Sequence, residues 1–165
     1  MKWILRSLLI LAVAGLGYWL WTVFFPPPEK LIRRQLISLA RTASIDTKAG
    51  TIARAVAATE IPGFFTQDAR IIVNIPPYPQ QSLEGRDDIS EAAKLLQARI
   101  RSIKVEFLDL NIVVGKEKRS AQVDLTAKIT FPRDDDLIAQ ELKFLLKEND
   151  GKWLITRVMT VNAFN

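Results

Sequence analysis

The chain has 165 residues, of which 48% are hydrophobic and 25% charged, and it contains neither cysteine nor histidine. That length supplies one domain and its apolar content excludes a disordered chain, while the missing residue types exclude disulfide scaffolds, thiol nucleophiles, histidine bases, Ser-His-Asp triads and nearly every transition-metal site. The net charge of +5 shrinks to a small excess once Lys2 and Arg6 are set aside, so it does not point to nucleic acid as a partner.

Residues 1–6 form a short basic tail. Residues 7–25 are uncharged and, as a helix, would rise about 28 Å, close to the hydrocarbon thickness of a bilayer. Trp3 stands at one end and Tyr18, Trp19, Trp21, Phe24 and Phe25 at the other, which fits the two water interfaces. A transmembrane anchor is expected. A cleaved signal peptide is the rival, but the run is long for a signal core, and its one Ala-x-Ala, Ala12 to Ala14, lies inside it. The six-residue tail favours a cytoplasmic N-terminus with the following domain translocated, although Lys30, Arg33, Arg34 and Arg41 weigh against this on a strict count. The expected setting is a single-pass protein of a bacterial inner membrane with a periplasmic C-terminal domain. Absence of cysteine suits an oxidising compartment.

Residues 26–28, three prolines, form an extended stem. Helix is expected from Glu29, with Ile32, Leu36, Leu39 and Ala43 on one buried face. Arg33 and Arg34, just behind the stem, are candidates for contact with anionic headgroups, the alternative being a solvated helix face. A second helix is expected over 49–59 with Ile52 and Val56 inward, ended by Ile61-Pro62-Gly63. A strand over 69–75 follows, stopped by Pro76-Pro77-Tyr78-Pro79. A third helix over 86–101 has Ile89, Ala93, Leu96 and Ile100 at helical spacing.

The rest reads as sheet. Ala121, Val123, Leu125, Ala127, Ile129 and Phe131 alternate with polar residues. In the strand before, Ile103, Val105 and Phe107 hold one parity and Leu108, Leu110, Ile112 and Val114 the other, a phase change that predicts a β-bulge. A strand over 138–148 turns at Asn149-Asp150-Gly151 into a last strand over 153–164.

The order helix, helix, strand, helix, long antiparallel sheet resembles the nuclear transport factor 2-like superfamily, which includes SnoaL-like cyclases and ketosteroid isomerase. Phe64-Phe65-Thr66-Gln67-Asp68-Ala69-Arg70-Ile71 looks like that family's passage into its first strand. Gly85-Arg86-Asp87-Asp88-Ile89 looks like the start of its third helix, and Asp150-Gly151-Lys152-Trp153-Leu154-Ile155 like its lead into the last strand. The resemblance spans most of 29–165 and implies an α+β fold: three helices on a strongly curved antiparallel sheet, wrapped as a cone about the first helix with a pocket at its mouth.

The fold hosts enzymes, binders and assembly subunits alike. Asp68 is a candidate base and Tyr78 a candidate oxyanion donor; the plain alternative for Asp68 is a turn acid. The inward face is expected to line an apolar ligand pocket with Val123, Leu125, Ala127, Ile129 and Trp153, and Arg157 shares the parity of Trp153 and Ile155. Its alternative is a rim or salt-bridged arginine. Asp134, Asp135 and Asp136 lack the pattern of a calcium loop and read as solvated. No cofactor and no metal site is expected. The favoured function is a membrane-anchored, non-catalytic module that binds a protein or a small apolar ligand, or self-associates through its open sheet face. By resemblance, an envelope or secretion complex is a fitting context, since membrane-anchored members of the superfamily include type IV secretion subunits. The alternative is a cyclase-, isomerase- or dehydratase-type enzyme acting on a hydrophobic small molecule.

Overall fold

A computed structural model describes residues 15, 26–46, 50–74, 80–131 and 136–161. The apolar run 7–25 apart from Gly15, and Tyr78, Asp134 and Asp135, lie outside the described residues. Among the described residues, no helix is long and apolar enough to cross a membrane.

Helix α1, Pro28–Ala43, takes in the last of the three prolines, so the extended stem ends one residue earlier than expected. Pro28 occupies the first turn, where its missing N–H costs nothing. Ile32, Leu36 and Leu39 are buried as expected and Ala40 joins them, while Ala43 is half-buried. The helix ends at Ser44, whose hydroxyl donates to the Ala40 carbonyl at 2.8 Å and accepts from the Val105 amide at 2.9 Å. Ile45 then pairs with Ile103, tying the end of α1 to the head of the sheet.

Helix α2, Thr51–Glu60, reverses the predicted face. Ile52 is 82% exposed and Val56 48%, and the inward line is Arg54, Ala58 and Ile61. The short alanine side chains let α2 approach its neighbours closely, and the larger apolar residues are turned outward. A 3-10 turn, Ile61–Phe64, follows. Helix α3, Gly85–Arg99, shows a related difference: Leu96 is 52% exposed, Ile100 half-buried, and Gln97 takes the buried place. Contact follows the i, i+4 ridge of Ile89, Ala93 and Gln97 instead of the seven-residue spacing to Leu96.

The strands are β1, Phe65–Val73; β2, Gln81–Glu84; β3, Lys104–Val114; β4, Ser120–Phe131; β5, Asp136–Asn149; and β6, Lys152–Thr160. They form one sheet in the order β2-β1-β6-β5-β4-β3. Strand β2, too short and polar to be expected from sequence, edges the sheet. The sheet is antiparallel except where β1 lies parallel to β6, which corrects the all-antiparallel expectation. The architecture is α+β, three helices on six strands.

The phase change predicted in β3 is a bulge between Leu108 and Asn111, with Asp109 at φ 53°. Leu108 stays on the outer face, 42% exposed. A second irregularity, which the sequence reading does not contain, sets Thr156 of β6 as an extra residue opposite Leu145 and Leu146. It inverts parity: Trp153 and Ile155 are buried, then Val158, while Arg157 is exposed. The β5–β6 turn has positive φ at Asp150 (50°) and Gly151 (78°), the signature of a type I′ hairpin.

The core lies between α1 and the inner sheet face. Ile32, Leu36 and Leu39 pack with Val123, Leu125, Phe144, Leu146, Trp153 and Ile155. Phe107 and Phe144 meet edge to face at 5.6 Å. The Gln35 amide donates to the Trp153 carbonyl, joining α1 to β6.

Candidate functional site

The residues expected to line an apolar pocket serve as core. Val123, Leu125, Ala127 and Trp153 are each 4% exposed or less, in contact with the α1 side chains that fill the inner face; Ile129 is half-buried toward the strand end. Arg157 points away from this group because of the Thr156 bulge. One inserted residue turns Arg157 outward, in keeping with the rim alternative given for it, and α1 side chains occupy the space on the inner face.

A cleft opens elsewhere, where the β1–β6 ladder is interrupted. Phe65 pairs with Ile155 and Arg70 with Arg157, so Thr66, Gln67, Asp68 and Ala69 together face only Thr156. The strand bows away, and the gap of about 520 Å³ is lined by Thr66, Gln67 and Asp68 of β1, Arg86 at the start of α3, Lys147, Glu148 and Asn149 of β5, and Leu154 and Thr156 of β6. Asp68 is the one residue here that the sequence reading singled out as a candidate. Arg86 appears there only as part of a motif, and Lys147 not at all, because strand pairing alone brings it near β1.

The charges of this cleft balance: Arg86 and Lys147 against Asp68 and Glu148. The Arg86 guanidinium donates to the Phe65 carbonyl, which clamps α3 onto β1, while its Nε is buried without a partner. Glu148 accepts from the Gly151 amide at 2.6 Å and so serves the hairpin. The neighbouring Thr66 hydroxyl and the Asp68 amide hold the Asp68 carboxyl below the usual aspartate range against the opposing effect of desolvation, with smaller help from Lys147 and Arg70. Thr66 Oγ1 makes no hydrogen bond of standard geometry, so its hold on Asp68 is loose. An exposed carboxylate kept ionised is a poor proton acceptor near neutral pH, since a general base works best with its pKa near the operating pH. The cleft is built to hold polar groups.

Arg33 and Arg34 both project from α1 into solvent. Arg33 reaches the Leu110 carbonyl at 3.3 Å, and Arg34 borders a groove with Gln35, Ser38 and Phe64. Among the described residues, no group of three or more acidic side chains is arranged to hold a metal ion.

No family model matches the chain, and no curated protein matches it in sequence. Many solved structures share its fold. The yeast Ubp3-associated protein Bre5 superposes with a TM-score of 0.63 at 14% identity, over 86% of this chain and 100% of that one. A candidate scytalone dehydratase from Novosphingobium aromaticivorans gives 0.59 at 12% identity, over 80% of this chain and 81% of that one. A Caulobacter vibrioides protein described as cystatin-like gives 0.59 at 18%, over 82% and 90%. The chain therefore has the cystatin-like, nuclear transport factor 2-like α+β fold.

Proposed function

We propose that the chain is a membrane-anchored, non-catalytic binding or assembly module. The observation that carries this reading is the filled inner face: the place where a cone-shaped fold would receive a substrate is taken by Ile32, Leu36, Phe144 and Trp153. The one candidate acid with a described position lies instead in an outer cleft and is held ionised. A protein partner or a second copy of the chain docks on the outer sheet face, where Leu108, Val113 and Leu137 stand 42%, 56% and 56% exposed among charged neighbours. That Bre5, of the same fold, is named for its association with another protein is consistent with partnering. The anchor is the run 7–25, with the domain on the periplasmic side of a bacterial inner membrane.

The double substitution Asp68→Asn and Tyr78→Phe tests the non-catalytic reading. It should complement whatever defect a deletion strain shows. An enzyme relying on either group would instead lose on the order of a hundredfold or more in rate, so a folded, normally abundant double mutant that fails to complement favours a cyclase- or dehydratase-type enzyme. Retention in membranes after carbonate washing, together with an active phosphatase fused after Asn165, tests anchor and topology. A soluble mature chain starting near Pro26 would refute the anchor.

A further inference from the structure

The domain has one end at which the chain enters it. Ser44, at the close of α1, accepts from the Val105 amide, and Arg33, near its start, donates to the Leu110 carbonyl, so α1 runs antiparallel to β3. At about 1.5 Å per helical residue and about 3.3 Å per strand residue, Pro28 stands level with Ile112. Pro27, extended at φ −59° and ψ 144°, places the entry of the chain beside the β3–β4 turn. The β5–β6 turn lies at this same end, because the Glu148 amide donates to the Arg119 carbonyl at 2.8 Å. Arg34 and Lys152 border one groove, which joins the first turns of α1 to the second hairpin.

This end is basic. The β3–β4 turn carries Lys116, Lys118 and Arg119 against Glu117, the β5–β6 turn carries Lys152 against Asp150, and α1 opens with Lys30, Arg33 and Arg34 against Glu29; all are exposed. Glu148 is half-buried and taken by the Gly151 amide, and Lys147 is set against Asp68. Glu60 borders the Arg34 groove too, but it also lines the cleft beside Arg41, toward the far end of α1. Among the described residues, none of the cations of the two turns and the first turns of α1 is in an ion pair.

The length of the stem decides what this charge meets. Three extended residues reach at most about 11 Å, so Pro28 stands no farther than that from Phe25, the last residue of the uncharged run. Charges this close to a surface are only partly screened, since the Debye length at physiological ionic strength is about 8 Å, and anionic headgroups attract lysines and arginines there. We infer that the end formed by the two hairpin turns and the first turns of α1 rests on the bilayer and binds anionic phospholipid headgroups through Lys116, Lys118, Arg119 and Lys152, with Lys30 and Arg34. The inference rests on the anchor reading of residues 7–25 and adds to it an orientation: β3 stands away from the membrane, and Asp46 and Gly50 lie at the far end.

The chain has no cysteine, so a single introduced thiol can be labelled alone. The full-length chain carries a fluorophore either at Asn149→Cys, beside the two turns, or at Gly50→Cys, about 30 Å away along β3 and with open space about a Cβ. Each is reconstituted into vesicles of phosphatidylcholine alone or mixed with phosphatidylglycerol, containing a headgroup-spin-labelled quencher. Quenching should be stronger at Asn149 than at Gly50, rise with phosphatidylglycerol and fall back as salt is raised. The triple variant Lys116→Gln, Lys118→Asn, Arg119→Gln should lose the phosphatidylglycerol-dependent part, each charge removed weakening the contact about fivefold. Asparagine suits the φ of 53° at Lys118, and the salt titration reads the same contact in the chain with its turns unaltered. Flotation with pure phosphatidylcholine vesicles reads the anchor separately. Equal quenching at the two sites, quenching indifferent to phosphatidylglycerol and salt, or an undiminished effect in the triple variant would overturn the inference and leave the anchor standing. A chain that floats only with the anionic vesicles would overturn the anchor and support the basic end; one that floats with neither would overturn both.

Discussion

Asp68 shows how a single side chain can be placed for chemistry and yet be set against it. Its lowered native pKa has a defined consequence for stability. Between the lowered native value and the ordinary unfolded one, the unfolded chain binds more protons, so the carboxylate contributes stability that is fully present above the unfolded value and is lost as pH falls through the native one. Asp68→Asn should therefore destabilise the fold slightly at neutral pH and not at all at strongly acid pH. Melting curves of the two chains across pH check this: converging curves on the acid side are expected, and parallel ones would refute the assignment. At Gln97 the expectation has the opposite sign. Its Oε1 is buried without a hydrogen-bond partner, and an unpaired buried acceptor costs about 1–3 kcal/mol, so the Gln97→Leu variant should be more stable than the parent by about 1 kcal/mol or more in denaturant titration.

Among the elements, β4 makes the plainest case. Its alternation of buried and half-buried residues follows from a period-two pattern carried by each residue and its next neighbours, and the sequence reading and the structure agree from Ala121 to Ala127, beyond which Ile129 and Phe131 are only half-buried. Leu125→Asp should abolish cooperative unfolding, because an unpaired carboxylate in that core costs several kcal/mol, comparable with the stability of a small domain. Thr130→Asp, on the outer face opposite Lys104, should be tolerated, as circular dichroism melts would show. The β5–β6 turn is equally local: Gly151→Ala should cost about 1 kcal/mol, since φ of 78° is strained for any residue with a Cβ and no atom crowds the site. Other elements depend on partners that the sequence does not display. Ile52 and Leu96 look inward by periodicity, but α2 and α3 meet through alanines and Gln97, so the buried stripe is chosen by the neighbouring helix. In β6, one bulged residue at Thr156 turns Arg157 to the other face, an effect invisible to parity counting. The Asp68 cleft was legible to the extent of its acid; Arg86 and Lys147 join it only through pairings between distant parts of the chain.

For the molecule as a whole, the parallel pairing of β1 with β6 carries a consequence for how the protein is made. Pairing Arg70 with Arg157 closes a loop that contains most of the domain, and β1 and β2 have no other route into the sheet. Such non-local closure is slow, because the entropy of the loop is lost before the contact forms. During synthesis, the first strand must wait beside the growing chain until the last one has left the ribosomal tunnel. A ribosome-nascent chain stalled before Trp153 has emerged should leave β1 protease-sensitive, and release of the last strand should protect it in one step. A domain that stays open until its final residues are made is also one that can be threaded through a translocation channel while it is still unfolded.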